Sequence, residues 1–438
     1  MSQSAVQNTY LEVFESITAH SSSVVNKLRR EGVESFASLG FPTTDLERWR
    51  FTNVSPIAKK QFTCSKRVDI EASLLPSLKL QEIDGPQLVF VNGWFSEELS
   101  NTTGLPAGVE IENLEKVFDN KPESIKPHLG KLVGPDVSAF TALNTALIQD
   151  GAVIRIAENV VFETPMQLLF IASADDFQMS QPRILVIAGE NSQIKIIENY
   201  ASLTDTRYLT NTVTEISVAN NAMVDHYKLI RESADAYHIG NMHIELGRSA
   251  SFSSHSMTLG GAIVSNDVNA NLSGPGGECT LNGLYLVDHQ RLVDNHTTIR
   301  HASPHCTSHE LYKGILADQA RAVFNGKIMV ALDAQKTDAK QTNKALLLSE
   351  DAQINTKPEL EIFADDVKCT HGATVGQLDD EALFYLRSRG LSKEQSRNLL
   401  IHAFASDLLN RIRVEPIRMQ LDSLLLQQFP GSSGGFLS

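Results

Sequence analysis

The sequence predicts a mainly β protein, a core of stacked short strands of the β-helix kind, between helical ends. Three observations predict it. Between residues 151 and 371, short β-rich runs are separated by small or polar turns, with no convincing ten-residue amphipathic helix among them. Through that region a turn-then-strand pattern recurs, at Asn191-Ser-Gln-Ile, Asn221-Ala-Met-Val, Ser249-Ala-Ser-Phe, Gly277-Glu-Cys-Thr, Gln319-Ala-Arg-Ala and Asp351-Ala-Gln-Ile, with starts 30, 28, 28, 42 and 32 residues apart. A period of that size fits one coil per repeat. Both ends of the chain carry helical spacing and cap signals instead. A jelly roll or sandwich competes with the β-helix, because many short strands also suit those folds. The 42-residue gap reads as a coil with an extra loop near residues 289–309.

Taken in order, residues 5–40 read as helix, with Val6, Tyr10, Phe14 and Ile17 at helical spacing and Val24, Val25 and Leu28 continuing the stripe. Gly40-Phe-Pro42 is the stop. Thr44 and Glu47 have capping-box spacing for a short helix through Trp49, itself a core residue. Residues 88–91 form a buried strand, 109–111 belong to another, and 113–148 return to helical patterning. Residues 1–150 are thus a mostly helical region with short strands, and 151–372 are the repeating core. The strand runs at 153–156, 167–171, 184–187 and 194–197 open that core. Residues 373–438 are a helical domain. Asp379–Glu381 charges and Arg387, Arg389 and Gly390 bracket its first helix, Ser392 with Gln395 caps the second, and Pro416 opens a third. Leu400, Phe404, Leu408 and Ile412 form one apolar stripe there, and Leu421, Leu424 and Leu425 a second set. The last residues, from Pro430, read as a frayed tail.

Composition narrows the function. Of 438 residues, 42% are hydrophobic and 21% charged, ordinary values for a soluble globular chain. A net charge of -14 argues against general affinity for nucleic acid or anionic membrane. No apolar run approaches a membrane span, and the N-terminus lacks signal-peptide character. The four cysteines, Cys64, Cys279, Cys306 and Cys369, include no Cys-x-x-Cys pair, so the expectation is a reducing cytoplasm without a disulfide framework. Gly-x-x-x-x-Gly-Lys-Ser/Thr, His-Glu-x-x-His and Gly-x-Ser-x-Gly are all absent, so the chain is not expected to hydrolyse ATP itself.

Two stretches carry candidate chemistry. His301, His305 and His309 fall four apart with Cys306 among them, which on a helix would gather three imidazoles. Pro304 and the strand-like neighbourhood favour turn and ladder hydrogen bonding instead. The better candidate is Cys369 with His371. On a strand over 361–371 both side chains share a face, their Cα atoms about 7 Å apart, and a thiolate and an imidazole so placed can share iron or zinc. A buried hydrophobic role for the cysteine is the bland alternative. Two ligands do not close a site, so others must come from elsewhere in the chain, a substrate or a partner.

Gly283-Leu-Tyr-Leu, Asp294-Asn-His-Thr-Thr, His305-Cys-Thr-Ser-His-Glu-Leu-Tyr-Lys-Gly, Val323-Phe-Asn-Gly-Lys, Asp333-Ala-Gln-Lys-Thr-Asp and Gln341-Thr-Asn form an ordered series. Lys357-Pro-Glu-Leu-Glu-Ile, Ala364-Asp-Asp-Val-Lys-Cys-Thr-His-Gly-Ala and Leu383-Phe-Tyr-Leu-Arg-Ser-Arg-Gly continue it. The series closely resembles the SufB/SufD family of iron–sulfur cluster assembly proteins. Gly40-Phe-Pro and Glu47-Arg-Trp-Arg-Phe-Thr are similar to the SufD branch, and the scarcity of N-terminal cysteines separates the chain from the SufB branch. The resemblance implies a right-handed parallel β-helix flanked by N- and C-terminal α-helical domains. It also implies a non-catalytic scaffold subunit in a cytoplasmic complex with SufB and the ATPase SufC, needed for iron acquisition, and a possible SufD homodimer in isolation. No cofactor would be bound stably by the chain alone. Transient iron or a nascent cluster would sit at the SufB interface, at Cys369 and His371, and the tail with Leu400, Phe404, Leu408 and Ile412 would dock SufC. A self-sufficient β-helix metalloenzyme and a structural homodimer with no metal role are the competing functions.

Overall fold

The computed structural model describes residue 14 and residues 23–173 and 175–428. Most expectations for residues 1–22, and those for 429–438, lie outside the described residues. The core is a parallel β-solenoid of about eight turns with helices at both ends. Each full turn gives one strand to each of two sheets. One sheet takes Arg183–Ala188, Leu209–Val218, Tyr237–Leu246, Ile263–Leu272, Leu292–His301, Arg321–Val330 and Gln353–Ile362. The other takes Gln193–Ser202, Met223–Arg231, Ser251–Thr258, Glu278–Val287, Thr307–Leu316, Asp338–Leu347 and Lys368–Gly376. Neighbours in both sheets pair parallel, so one register position stacks the same face through every turn.

The coil is more regular than the sequence pattern suggests. Strands of the second sheet begin at residues 193, 223, 251, 278, 307, 338 and 368, between 27 and 31 residues apart. The 42-residue gap is therefore no extra loop. The first four turn-then-strand matches enter the second sheet, whereas those at Gln319 and Asp351 enter the first, so the apparent period skipped from one corner of the coil to the other. The corners are set by left-handed residues, among them Asn191, Asn221 and Ser249 with φ of 57°, 58° and 53°. Asparagine tolerates that region best after glycine, through local hydrogen bonding. The asparagine corners also stack, Asn221 Nδ2 donating to Asn191 Oδ1 (2.9 Å) and Asn191 Nδ2 to Asn159 Oδ1 (2.8 Å).

The N-terminal region extends both sheets. Gln87–Val91 runs parallel to Val161–Ala172, and Val109–Asn113 pairs antiparallel with Gly151–Ile156. Over 113–148 the helical patterning resolves into α2 (Leu114–Asn120), a four-residue helical turn and α3 (Ala139–Ala146), which follow α1 (Ser23–Leu39). Ser138 caps α3 by accepting from the Thr141 N–H (3.0 Å). Where α1 crosses α3, a Cβ at Gly32 would stand 2.5 Å from the Ala146 backbone nitrogen, so the crossing needs glycine. The capping box expected at Thr44 and Glu47 does not form. Thr43 Oγ1 accepts from the Asp45 N–H (3.3 Å), and Glu47–Trp49 is one 3-10 turn. Trp49 is buried, its ring 5.6 Å from that of Phe140.

The solenoid interior holds both apolar stacks and buried polar groups along its length. Phe90, Phe170 and Tyr200 occupy one register and stack with ring centroids 4.9 and 4.8 Å apart. Further on, Glu310 is buried, accepts from Gln341 Nε2 (2.7 Å), and burial pushes its carboxyl up to about 7. A carboxyl held protonated in the fold stabilises it below the unfolded carboxylate range, and that stability is lost as pH rises through about 7. Glu310→Gln keeps the acceptor and removes the titration. Urea denaturation at pH 5 and pH 8 should show the wild-type chain losing roughly 2–3 kcal/mol between them and the variant losing clearly less. Equal pH sensitivity in both proteins would place Glu310 outside the cause.

Candidate functional site

The solenoid ends on an uncovered rung. The strand expected over 361–371 is two strands: Gln353–Ile362 ends one sheet, residues 363–367 turn the corner, and Lys368–Gly376 ends the other. Among the described residues each pairs on one side only, with Arg321–Val330 and Asp338–Leu347 respectively. In Lys368–Gly376 every residue is exposed except half-buried Cys369. Ile362, Phe363 and Val375 are exposed beside it, as is Leu332 on the preceding corner. Main-chain donors and acceptors left unpaired along two sheet edges, with apolar side chains among them, make a template for another strand.

That edge holds the Cys-x-His pair. Cys369 sits opposite Ala339 and His371 opposite Gln341 in the ladder, so both lie on the face that earlier turns bury. The corner under them is tied down. Lys336 N donates to Asp366 O (2.7 Å), Asp366 N to Gln335 Oε1 (2.9 Å), and the Lys336 ammonium meets the Asp366 carboxylate. Cys369 packs against the small cluster of Ile328, Val330, Ala334, Ala339 and Ala364. Burial raises its thiol above the ordinary range, so it is protonated at neutral pH. His371 is exposed. Here the same-face geometry read from the sequence is present.

The histidine-rich loop is not a site. His301 lies in Leu292–His301, buried, with Nε2 2.8 Å from Ser308 Oγ and its pKa lowered by burial to about 4. His305 is a corner residue with φ of 61°, and His309 lies in the following strand. Strand, corner and strand replace the helix, which scatters the three rings. Cys306 is buried, its thiol donating to Gly274 O (3.4 Å), and Cys279 is buried in the core, its thiol pushed far up by desolvation. Cys64 is pushed up to about 12 for the same reason. Among the described residues, no three of His, Cys, Asp and Glu converge as a metal set.

The helical tail divides into a packed part and a presented part. It comprises α4 (Asp380–Ser388), α5 (Lys393–Leu409) and α6 (Glu415–Gln428). Asp379 caps α4, and Ser392 with Gln395 forms the capping box of α5. Of the apolar stripe, Leu408 and Ile412 are buried with Ile401, Ala405 and Leu421 against Leu284, Leu311 and Ile315 of the solenoid. Leu400 and Phe404 are half-buried, and Ile412 lies past the end of α5. Lys313 fastens the contact, its ammonium donating to Phe404 O (2.6 Å) and meeting Asp407. Leu408, Ile412 and in part Phe404 therefore serve this chain's own packing. No residue of α4 is buried, and Phe384 and Tyr385 are 74% and 56% exposed, with Arg389 donating to the Tyr385 hydroxyl (3.1 Å). Periodicity could not reveal α4 as a presented surface, because only the packed chain shows which apolar face is covered.

The described residues thus form a parallel solenoid that ends on a rung carrying Cys369 and His371, with an exposed aromatic helix beyond it. Residues 170–404 match the SUF system FeS cluster assembly, SufBD core domain, and residues 2–168 match the SufBD protein N-terminal region. The chain belongs to the SufBD family. It is 35% identical to an iron–sulfur cluster assembly SufBD family protein of Synechocystis, over 91% of this chain and 90% of that one. It is 32% identical to the iron–sulfur cluster assembly protein SufD of Escherichia coli, over 92% and 93%, and 25% identical to SufD of Bacillus subtilis, over 96% and 97%.

The thiol environments give a prediction. Alkylation of the native chain with iodoacetamide should mark Cys369 faster than buried Cys279 and Cys306, at a rate that levels off at higher pH than for an ordinary thiol, whose pKa is about 8.5. Unfolding in urea should accelerate Cys369 labelling at pH 8. Peptide mass mapping with time checks both, and a Cys369 rate that levels off below pH 8 would contradict its raised pKa.

Proposed function

We propose that the chain acts in iron–sulfur cluster assembly as a non-catalytic scaffold of the SufD type, pairing through its terminal rung with a SufB-type chain. The observation that carries this reading is the open edge holding Cys369 and His371. Iron here is cargo: the imidazole of His371 and, once deprotonated, the thiolate of Cys369 would supply two ligands, and the partner's edge the others. Metal at the thiol favours its deprotonated form, opposing the burial that keeps it protonated. The relatives named SufD and the family description both support the assembly role. A cytoplasmic setting fits the free thiols.

A SufC-type ATPase fits best at α4, through Phe384 and Tyr385. Leu408, Ile412 and the partly buried Phe404 pack the tail against the solenoid, so deleting the tail would uncover Leu284, Leu311 and Ile315. Point substitution on α4 separates docking from folding.

Co-expression with SufB-type and SufC-type chains, with iron and sulfide assayed on the purified complex, tests the reading. His371→Ala should lower bound iron severalfold while assembly survives, since it removes no large buried apolar group. Cys369→Ser should be milder. Unchanged iron in His371→Ala would favour a structural role, and metal held stoichiometrically with substrate turnover by the chain alone would favour an enzyme.

Phe384→Ala with Tyr385→Ala should reduce SufC-type recovery at least about tenfold, the scale of losing an interface hot spot, with circular dichroism unchanged. Full recovery of the ATPase would remove α4 from that role. The single chain should also show no ATP-dependent rise in Tm, the shift that ligand binding to the native state would produce.

A further inference from the structure

The corner that leads into the Cys369 strand differs from those before it on that side of the coil. Asn191, Asn221, Ser249, Gly276, His305 and Lys336 each stand two residues ahead of a strand of the second sheet, all with positive φ. Asp366 holds that position ahead of Lys368–Gly376 and is not left-handed. The hydrogen bonds change with it. From Asn191 to His305, each left-handed N–H donates to the carbonyl just before the next corner residue, Asn191 to Asn220 (3.0 Å) and His305 to Gln335 (2.9 Å) among them. The Lys336 N–H instead reaches Asp366 O itself (2.7 Å), one residue further on.

Among the described residues no further coil follows, so the Asp366 N–H lacks the carbonyl that each earlier corner finds. A side chain takes its place. Gln335 Oε1 accepts from Asp366 N (2.9 Å), Gln335 Nε2 donates to Leu332 O (3.0 Å), and Gln335 O accepts from His305 N (2.9 Å). One glutamine thus joins three successive corners. Its own corner, residues 331–337, is longer than its neighbours, 302–306 and 363–367, and the bond to Leu332 closes it. The Lys336 ammonium also meets the Asp366 carboxylate, but an ion pair this exposed adds little.

We propose that Gln335 is a positioning residue for Cys369 and His371, acting through Asp366. The strand that carries the pair has a neighbour on one side only among the described residues, so its entry point depends on what the preceding corner supplies. Between the clasp and the pair, Lys368 N donates to Thr337 O (2.8 Å), and the Thr337 hydroxyl donates to Ala334 O (2.8 Å). These bonds hang from the same long corner that Gln335 closes. With the clasp gone, the entry of the strand opens locally, and the thiol and imidazole shift relative to each other. Groups behind a metal's ligands orient them in this way, and losing one weakens binding even with every ligand present. The consequence for iron rests on the function proposed for the pair; the hold on Cys369 does not.

Two variants of the full chain separate the hydrogen bond from packing. Gln335→Met keeps the side-chain length and removes both side-chain bonds, whereas Gln335→Glu keeps the acceptor. Hydrogen exchange resolved to single amides, and iodoacetamide labelling of Cys369 at pH 8, read the effect without metal. Gln335→Met should speed exchange at Asp366 and labelling at Cys369 about fivefold each, the scale of one ordinary hydrogen bond. Tm and the exchange of Arg321–Val330 should stay as in the wild-type chain, and Gln335→Glu should restore both rates. Unchanged labelling in Gln335→Met, or equal loosening in Gln335→Glu, overturns the proposal. If Gln335→Met fails to fold, Gln335→Ala takes its place with the same two outcomes. On the co-expressed complex, Gln335→Met should lower bound iron although Cys369 and His371 are both present. Faster labelling with iron unchanged in Gln335→Met and His371→Ala alike upholds the clasp and defeats the iron role. Unchanged labelling in Gln335→Met with iron lost in His371→Ala does the reverse.

Discussion

Each turn of a β-solenoid satisfies its backbone hydrogen bonds only through the turns on either side, and everything else in this chain follows from that constraint. Parallel in-register pairing forces one register position to repeat through the stack, which is why Phe90, Phe170 and Tyr200 stack and why the corners at Asn159, Asn191 and Asn221 hydrogen-bond in a row. It also means that the stack must stop somewhere. At its start the chain folds the first sheet back with Val109–Asn113, and the second with Trp94–Asn101, both antiparallel. At the other end nothing among the described residues folds back over Gln353–Ile362 or Lys368–Gly376. The asymmetry is built in: one end is closed by its own chain, and among the described residues the other ends on two unpaired edges.

Polar groups inside the stack follow the same logic. A buried ion pair gives little net stability against an apolar replacement, yet removing one partner is costly, since an unpaired buried charge remains. Arg183 and Glu215, both fully buried, meet at 2.6 Å, and Glu215 also accepts from the backbone N–H groups of Gly130, Lys131 and Leu132. That pair ties the loop after the four-residue helical turn to the solenoid wall. Such contacts fix which loop lies on which rung, where apolar packing would tolerate a slip.

Much of this was legible before any coordinates. The strand-and-turn rhythm identified the core, and Cys369 and His371 fell on one face because strand periodicity is two. Two kinds of information were missing. Local patterns cannot tell which of two sheets a strand enters, so equivalent-looking corners at Gly277 and Gln319 belonged to different sides of the coil and produced a false long repeat. Spacing also cannot tell whether an apolar stripe is covered. Leu408 and Phe384 both lie on helices of the tail, yet one is sealed against the solenoid and the other is exposed. Burial is a property of the partner surface, and the sequence of a single element does not contain it.

The open rung has a consequence for the order of events there. Cys369 is half-covered by its own chain, and burial already raises its pKa. A second strand laid on the edge would desolvate the thiol further and make the thiolate harder to form. A metal ion acts in the opposite direction, since coordination stabilises the thiolate and releases its proton. Closure without metal therefore leaves a neutral thiol in an apolar joint, which suits packing. Closure with metal would leave a ligated thiolate whose charge is compensated. Were a metal to load this rung, edge pairing and loading would be coupled through that proton, each changing the other's affinity by the same factor.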